Sequence, residues 1–159
     1  MAEPIRLPHH QLGLEFRTDP LKGRGVFATQ AIPRRTLIDI SPVLVFPADE
    51  YDLHGQHTQL DHYTYKWQHG SMALALGLGS MFNHANEPNV GFFRDFGNSM
   101  IKYVALRDLA VDEELCISYG ANLWFEDAAA AEQNGVNEGE VEEEEEEDAW
   151  LQFMMMDTV

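Results

Sequence analysis

The sequence of 159 residues contains a single cysteine, Cys116. One cysteine excludes an intramolecular disulfide framework and a zinc module built on clustered cysteines, and it is typical of a reducing compartment. The length favours one principal domain with a core of ordinary size.

Basic residues are also scarce: ten lysines and arginines stand against 27 aspartates and glutamates, which gives a formal net charge of −17. Such a field repels the phosphates of nucleic acids and attracts basic proteins, with a dependence on ionic strength. We therefore expect no direct binding to nucleic acid. Nine of the acidic residues lie between Glu138 and Asp148, where they either hold a basic partner or only keep the tail solvated.

Long apolar runs are absent, since no stretch approaches the ~20 residues of a membrane-spanning helix. Residues 1–6 lack the apolar centre of a secretory signal. The sequence thus predicts no membrane segment. Histidines at positions 54, 57, 62 and 69 offer imidazoles, but their spacing does not repeat on one helical face. We interpret them as ordinary exposed histidines and predict no metal site.

Short runs of alternating or β-branched residues between glycine and proline turns predict a β-rich fold with short helices. Pro42 is expected to place the middle of one run at a sheet edge or a bend. The polar residues 47–59 predict a short helix or a surface insertion, and Gly97-Asn98 predicts a hairpin turn. The predicted strands are residues 12–16, 26–28, 37–46, 90–94, 100–105 and 115–119.

A polar stretch with a proline, residues 79–90, interrupts the apolar run of residues 72–78. Because apolar residues and glycines precede it, we expect a packed segment in which Asn83 and His84 do not lie on open surface. Pro88 disfavours helix before it, so the chain should turn and continue as a strand from Val90. The sequence predicts a loop that crosses the middle of the fold.

Two further stretches accompany this loop: Gly23-Arg24-Gly25 near the start, and Glu113-Glu114-Leu115 with Tyr119 towards the end. Together with Asn83-His84 and Pro88-Asn89, in this order, they resemble the motifs of the SET-domain protein lysine methyltransferases. The resemblance implies a SET domain of small, β-clip-like sheets with short helices and a C-terminal pseudoknot.

The resemblance covers residues 12–126. It leaves an N-terminal arm at residues 1–11 and an acidic C-terminal segment with an apolar end at residues 127–159. Two family features are missing, because Ala85-Asn86 replaces the frequent Ser-Cys and no cysteine cluster follows Tyr119. A zinc-bound lid is therefore excluded. We expect the apolar end, residues 149–159, to fold back near Trp124 or to pair across a homodimer.

The resemblance implies an enzyme that transfers a methyl group from S-adenosyl-L-methionine to a lysine of a basic protein. A histone is the favoured substrate, histone H3 in particular, which implies a nuclear protein acting on chromatin, with a cytoplasmic location left open. Methyl transfer is an in-line displacement, so the lysine amine must be neutral and aligned with the methyl group, which a narrow desolvated channel favours. The alternative is a catalytically weak SET-fold module that binds basic partners through its acidic surface.

The resemblance also assigns roles to single residues. Tyr119 is the expected catalytic residue, with its hydroxyl beside the methyl group and the amine. Phe92 stands where the family has tyrosine or phenylalanine, so we expect room for more than one methyl group. The target lysine itself is not encoded in these motifs. The expected cofactor contacts are Arg24, Gly25, Asn83, His84, Tyr119 and Trp124, and the expected channel for the substrate lysine is lined by Tyr65, Phe92 and Phe125.

Overall fold

The structure is a computed structural model that describes residues 5–6, 11–119 and 152–153. In this part of the chain the strands are β1 (Ile5–Arg6), β2 (Leu14–Asp19), β3 (Gly23–Ala28), β4 (Leu37–Phe46), β5 (Thr64–Lys66), β6 (Met72–Ala75), β7 (Asn83–His84), β8 (Val90–Asp95), β9 (Met100–Ala105) and β10 (Glu114–Ile117). The helix α1 spans Ala48–Leu53, and short 3-10 helices span Gly55–His57, Gln59–His62, Gln68–Gly70 and Gly79–Met81.

The strands form two sheets, in the orders β1-β2-β3-β10-β7 and β5-β6-β4-β9-β8. The predicted β-rich fold with short helices is confirmed. The chain divides into two compact units. The described residues of the first unit are 5–6, 11–40, 81–92 and 102–119, and those of the second are 41–80, 93–101 and 152–153.

In the first unit the β2–β3 hairpin is built by local turn chemistry. The Asp19 carboxylate accepts the amide protons of Leu21 and Lys22 at 2.7 and 2.8 Å, and Gly23 takes the left-handed φ of 81° that glycine tolerates. Strand β3 begins at Gly23, three residues before the predicted start at Val26, because the glycines pair with β2. Within the predicted arm, β1 pairs antiparallel with β2.

Strand β10 lies between β3 and β7. It pairs in parallel with β7, with Cys116 opposite Asn83 and Ile117 opposite His84. The amides of Ala85 and Asn89 donate to the carbonyls of Ile117 and Cys116 at 3.0 and 3.2 Å. The central polar loop therefore lies along β10, which ends at Ile117 rather than at the predicted Tyr119.

The buried apolar residues of the first unit come from several strands and loops, including β10 and the polar loop, and form one hydrophobic core. The largest fully buried side chains among them belong to Leu14, Val26, Ile32, Phe82, Val90, Tyr103, Val104, Leu109, Leu115 and Ile117.

In the second unit β4 pairs antiparallel with β6, and β6 pairs with β5. The expectation that Pro42 lies at a sheet edge is wrong, because β4 lies between β6 and β9. Pro42 has no backbone amide proton to donate, but this costs no hydrogen bond to β6, because the pairing of β4 with β6 begins one residue later, at Val43. The Pro42 carbonyl still accepts a hydrogen bond from the Leu76 amide at 2.9 Å.

The predicted surface helix after β4 is α1. Its one buried residue, Tyr51, donates its hydroxyl proton to Asp61 at 3.1 Å and lies 2.7 Å from the Thr64 hydroxyl. None of the described helices has the length and apolarity needed to span a membrane.

Candidate active site

Three distant stretches of the first unit meet at Gly25. The Asn83 side-chain amide donates to the Arg24 carbonyl at 3.2 Å and to the Glu114 carboxylate at 2.7 Å. A Cβ atom on Gly25 would lie 2.5 Å from Glu114 Oε1 and 2.9 Å from Asn83 Nδ2. Glycine is needed here because the other two stretches occupy the space that a side chain would fill.

Asn89 fixes the polar loop to β10. Its side chain is buried, and its Nδ2 group donates to Glu113 Oε1 at 2.9 Å and to the Glu114 carbonyl at 2.8 Å. Its Oδ1 atom accepts the Cys116 amide proton at 2.8 Å. The second asparagine of the motif therefore sets the register between the loop and the strand.

The His84 ring is placed against Tyr119. Its Nδ1 atom accepts the backbone amide proton of Tyr119 at 3.0 Å, and the two rings lie 5.3 Å apart. Because Nδ1 accepts, the bond requires that this nitrogen be unprotonated. The prediction that His84 avoids open surface is wrong, since the residue is exposed while Asn83 is half-buried. The ring packs on the exposed Tyr119 rather than in the core.

The Tyr119 hydroxyl is oriented by the residue that precedes Asn83. It donates its proton to the Phe82 carbonyl at 2.6 Å, although Tyr119 as a whole is 57% exposed. A phenol oxygen whose proton is engaged in this way presents its lone pairs to a group arriving from outside. The sequence prediction of a functional hydroxyl at this position is compatible with that geometry.

Phe92 lies on β8 and is 8% exposed. Its ring lies 6.4 Å from that of Tyr103, which is fully buried and also packs on Phe82 at 5.0 Å. These rings form an apolar wall within the first unit.

The remaining predicted site residues are not brought to this cluster by the described contacts. Tyr65 belongs to the second unit, where its hydroxyl donates to the Gly79 carbonyl at 2.7 Å. Trp124, Phe125 and the apolar end at residues 149–159, apart from Gln152 and Phe153, lie outside the described residues.

Glu113 is an acidic residue held strongly in its charged form. Burial raises the pKa of its carboxyl group, but hydrogen bonds from Arg107, the Ala110 amide and Asn89 outweigh that effect and lower the pKa to about 2. Glu113 thereby stabilises the attachment of the polar loop, because its carboxylate accepts a hydrogen bond from Asn89 and pairs with Arg107.

Burial and the nearby Glu114 carboxylate raise the pKa of the Cys116 thiol to about 11. The thiol is therefore protonated and a poor nucleophile at neutral pH.

Histidines 54, 57, 62 and 69 are all exposed, as predicted. Across the described residues no three histidine, cysteine or acidic side chains are grouped so that they could hold a metal ion.

Glu114 appears in the sequence only as one position of the Glu113-Glu114-Leu115 motif, and it was not among the predicted site residues. The structure puts its carboxylate on the Asn83 amide and within 3.2 Å of Lys22 Nζ. The only sequence signal for this role was the position of the residue in Glu113-Glu114-Leu115, since nothing local indicates which side chain it meets.

Comparisons with known proteins agree with the motifs. The SET domain family matches residues 23–120. The chain is 54% identical over 127 residues to a histone-lysine N-methyltransferase, H3 lysine-37 specific, of Schizosaccharomyces pombe, an alignment covering 80% of this chain and 86% of the yeast protein. A crystal structure of a proposed histone methyltransferase from Plasmodium falciparum matches with a TM-score of 0.55 and 26% identity, covering 70% of this chain and 96% of that one.

The chain belongs to the SET domain family, whose methyltransferases in general use S-adenosylmethionine. The predicted class, a SET-domain protein lysine methyltransferase, is confirmed. The alternative of a catalytically weak binding module is not favoured, because the yeast relative is a named enzyme and the identity to it extends over most of both chains.

Proposed function

We propose that this enzyme transfers methyl groups from S-adenosylmethionine to histone H3, at the lysine-37 position named for the yeast relative. The observation that carries the proposal is the 54% identity to that relative, over 86% of its length. The convergence of Arg24, Asn83 and Glu114 at Gly25 supports it, because it gives the three sequence motifs one common place.

The residues at Gly25 fit the methionine end of the cofactor, which carries an ammonium and a carboxylate group. The Asn83 Nδ2 group donates its hydrogens within the protein, so Oδ1 is the atom suited to accept from an ammonium group. Arg24 is exposed beside it and brings a positive charge suited to a carboxylate. Bound S-adenosylmethionine supplies a methyl group on a sulfonium sulfur.

The other site residues act on the lysine. In this proposal the Tyr119 oxygen, fixed by the Phe82 carbonyl, orients the amine by accepting a hydrogen bond from it. The apolar wall of Phe92 and Tyr103 disfavours a charged ammonium and so admits the neutral amine that can react. As part of the proposal, Tyr65 and Phe125 keep their predicted roles in the lysine channel, and Trp124 keeps its predicted role as a cofactor contact.

The net charge of −17 suits a strongly basic substrate such as a histone tail, because opposite charges accelerate and stabilise association at low ionic strength. A nuclear location follows from that substrate.

The proposal also includes a homodimer in which the apolar ends of two chains, residues 149–159, pair with each other.

The proposal is tested with labelled S-adenosylmethionine and two H3 peptides, one with lysine at position 37 and one with arginine there. We expect methylation of the first peptide only, located by fragmentation mass spectrometry. Equal methylation of both peptides would overturn the assigned position. Absence of both cofactor binding and transfer to whole H3 would overturn the proposed function.

A further inference from the structure

Glu114 divides its carboxylate between two partners. Oε1 accepts from Asn83 Nδ2 at 2.7 Å, and Oε2 lies 3.2 Å from Lys22 Nζ. The side chain is only 16% exposed. Because each oxygen has its own partner, the carboxylate is fixed in one orientation against the Asn83 amide.

The backbone of Glu114 is held independently of this carboxylate. Glu114 pairs with Phe27 of β3, and its carbonyl accepts from Asn89 Nδ2 at 2.8 Å. The strand therefore does not need the carboxylate to stay in place, and the carboxylate is left to act on its neighbours.

We propose that Glu114 is a positioning residue of the cofactor site, which holds the Asn83 amide so that Oδ1 remains for the ligand. The inference rests on the proposed function in so far as the ligand is S-adenosylmethionine. An asparagine amide can turn over and exchange its oxygen and nitrogen at little cost when its partners permit it. Here the Arg24 carbonyl and Glu114 Oε1 both accept hydrogen bonds from Asn83 Nδ2. If the amide turned over, Asn83 Oδ1 would face these two acceptors and be repelled by them.

Two substitutions separate the contact from the charge. E114Q keeps an acceptor oxygen for Asn83, whereas E114M keeps the length of the side chain and removes the acceptor. We expect E114M to weaken S-adenosylmethionine binding about tenfold in calorimetric titration and E114Q to stay within about threefold. If E114Q loses as much as E114M, the carboxylate acts through its charge and the inference is wrong.

A double-mutant cycle tests whether Glu114 acts through Asn83. In the N83A background E114M should add little further loss, because the amide that it positions is gone. Additive losses would contradict the inference. Y51F is the control, since it removes a hydroxyl of the second unit whose partners, Asp61 and Thr64, are not site residues. This control should lower the melting temperature and leave cofactor affinity unchanged.

A ligand-free measurement separates this inference from the proposed function. The Asn83 side-chain amide signals in a 15N spectrum, assigned by their loss in N83A, should show slow, hydrogen-bonded protons in the wild type. If the wild type shows these protons but binds no S-adenosylmethionine, the proposed function fails and the contact stands. If it binds the cofactor but the Asn83 protons exchange like those of an exposed amide, the inference alone fails. This measurement uses the wild type, so it stays decisive even if E114M does not fold.

Discussion

Two of the contacts of Tyr119 are hydrogen bonds, from its amide to His84 and from its hydroxyl to the Phe82 carbonyl. Both partners flank Asn83 in the sequence, so these contacts join the predicted catalytic residue to the stretch that carries the predicted cofactor residues. Substitutions that remove a single hydroxyl group can separate a catalytic role of a residue from its contribution to packing.

Tyr119→Phe deletes the hydroxyl and keeps the ring that stacks on His84. We expect turnover to fall roughly 10²-fold, because a preorganised polar group at the reacting centre is worth that order in rate. Cofactor affinity should change little. Steady-state kinetics with saturating cofactor give the answer, and an unaltered rate would contradict the role of Tyr119.

Tyr51→Phe is the control for general loss of stability. It deletes another tyrosine hydroxyl with two side-chain partners, Asp61 and Thr64, in the second unit. It should lower the melting temperature without a comparable loss of turnover.

Phe92→Tyr adds a hydroxyl to the apolar wall. The new group would crowd the channel and hydrogen-bond to the amine, so we expect products to shift toward the monomethyl state. Because Phe92 is buried, a hydroxyl that finds no partner also costs stability, about 1–3 kcal/mol. Intact-mass analysis of the methylated peptide measures the shift, and an unchanged product distribution would assign channel size to another side chain.

At the scale of elements, the loop of residues 83–89 and β10 are joined by backbone bonds and by the Asn89 and Glu113 side chains. Glu113 Oε1 lies 2.5 Å from Arg107 Nη2, and Oε2 accepts the Ala110 amide proton at 2.8 Å. One carboxylate thus joins the polar loop, through Asn89, to the connection between β9 and β10.

The depressed pKa of Glu113 predicts a pH dependence of stability. Its pKa falls from 4.5 to about 2 on folding, so its contribution is complete above pH 4.5 and is lost as the pH falls towards 2. The shift corresponds to about 1–3 kcal/mol, after allowance for partial exposure. Urea unfolding of wild type and E113Q at pH 6 and pH 3 should show a difference in free energy that shrinks at pH 3. A difference independent of pH would contradict the charged role.

Elements specified by local chemistry were predictable from the sequence. The β8–β9 hairpin formed where Gly97-Asn98 and the alternating residues on either side indicated it. Elements decided by pairing with distant strands were not. Pro42 lies inside a central strand because of the register of β6, and His84 is exposed, with its ring against Tyr119, a residue 35 positions away in the sequence.

The candidate site was predictable to the extent that motifs encode it. The motifs named Gly25 and Asn83, and the resemblance grouped them with Tyr119. Only the three-dimensional structure shows that the side chains of Glu114 and Asn83 fill the space beside Gly25. Such a contact spans most of the described chain in sequence, so no local pattern can report it.

At the scale of the whole molecule, the net charge of −17 favours the proposed basic substrate, and three motifs form the proposed cofactor site. We expect the cofactor to bind without a metal ion, so a chelator should leave the affinity unchanged. The central claim is that Asn83, at the meeting point of the motifs, holds the cofactor.

The most direct test is a calorimetric titration of the full chain with S-adenosylmethionine, in chelator, for the wild type, Asn83→Ala and Asn98→Ala. Asn98 is the matched control, because its exposed amide only binds Asp95 in the hairpin turn. We expect Asn83→Ala to weaken binding about tenfold or more and Asn98→Ala to match the wild type. Equal affinity of all three proteins would contradict the placement of the cofactor site.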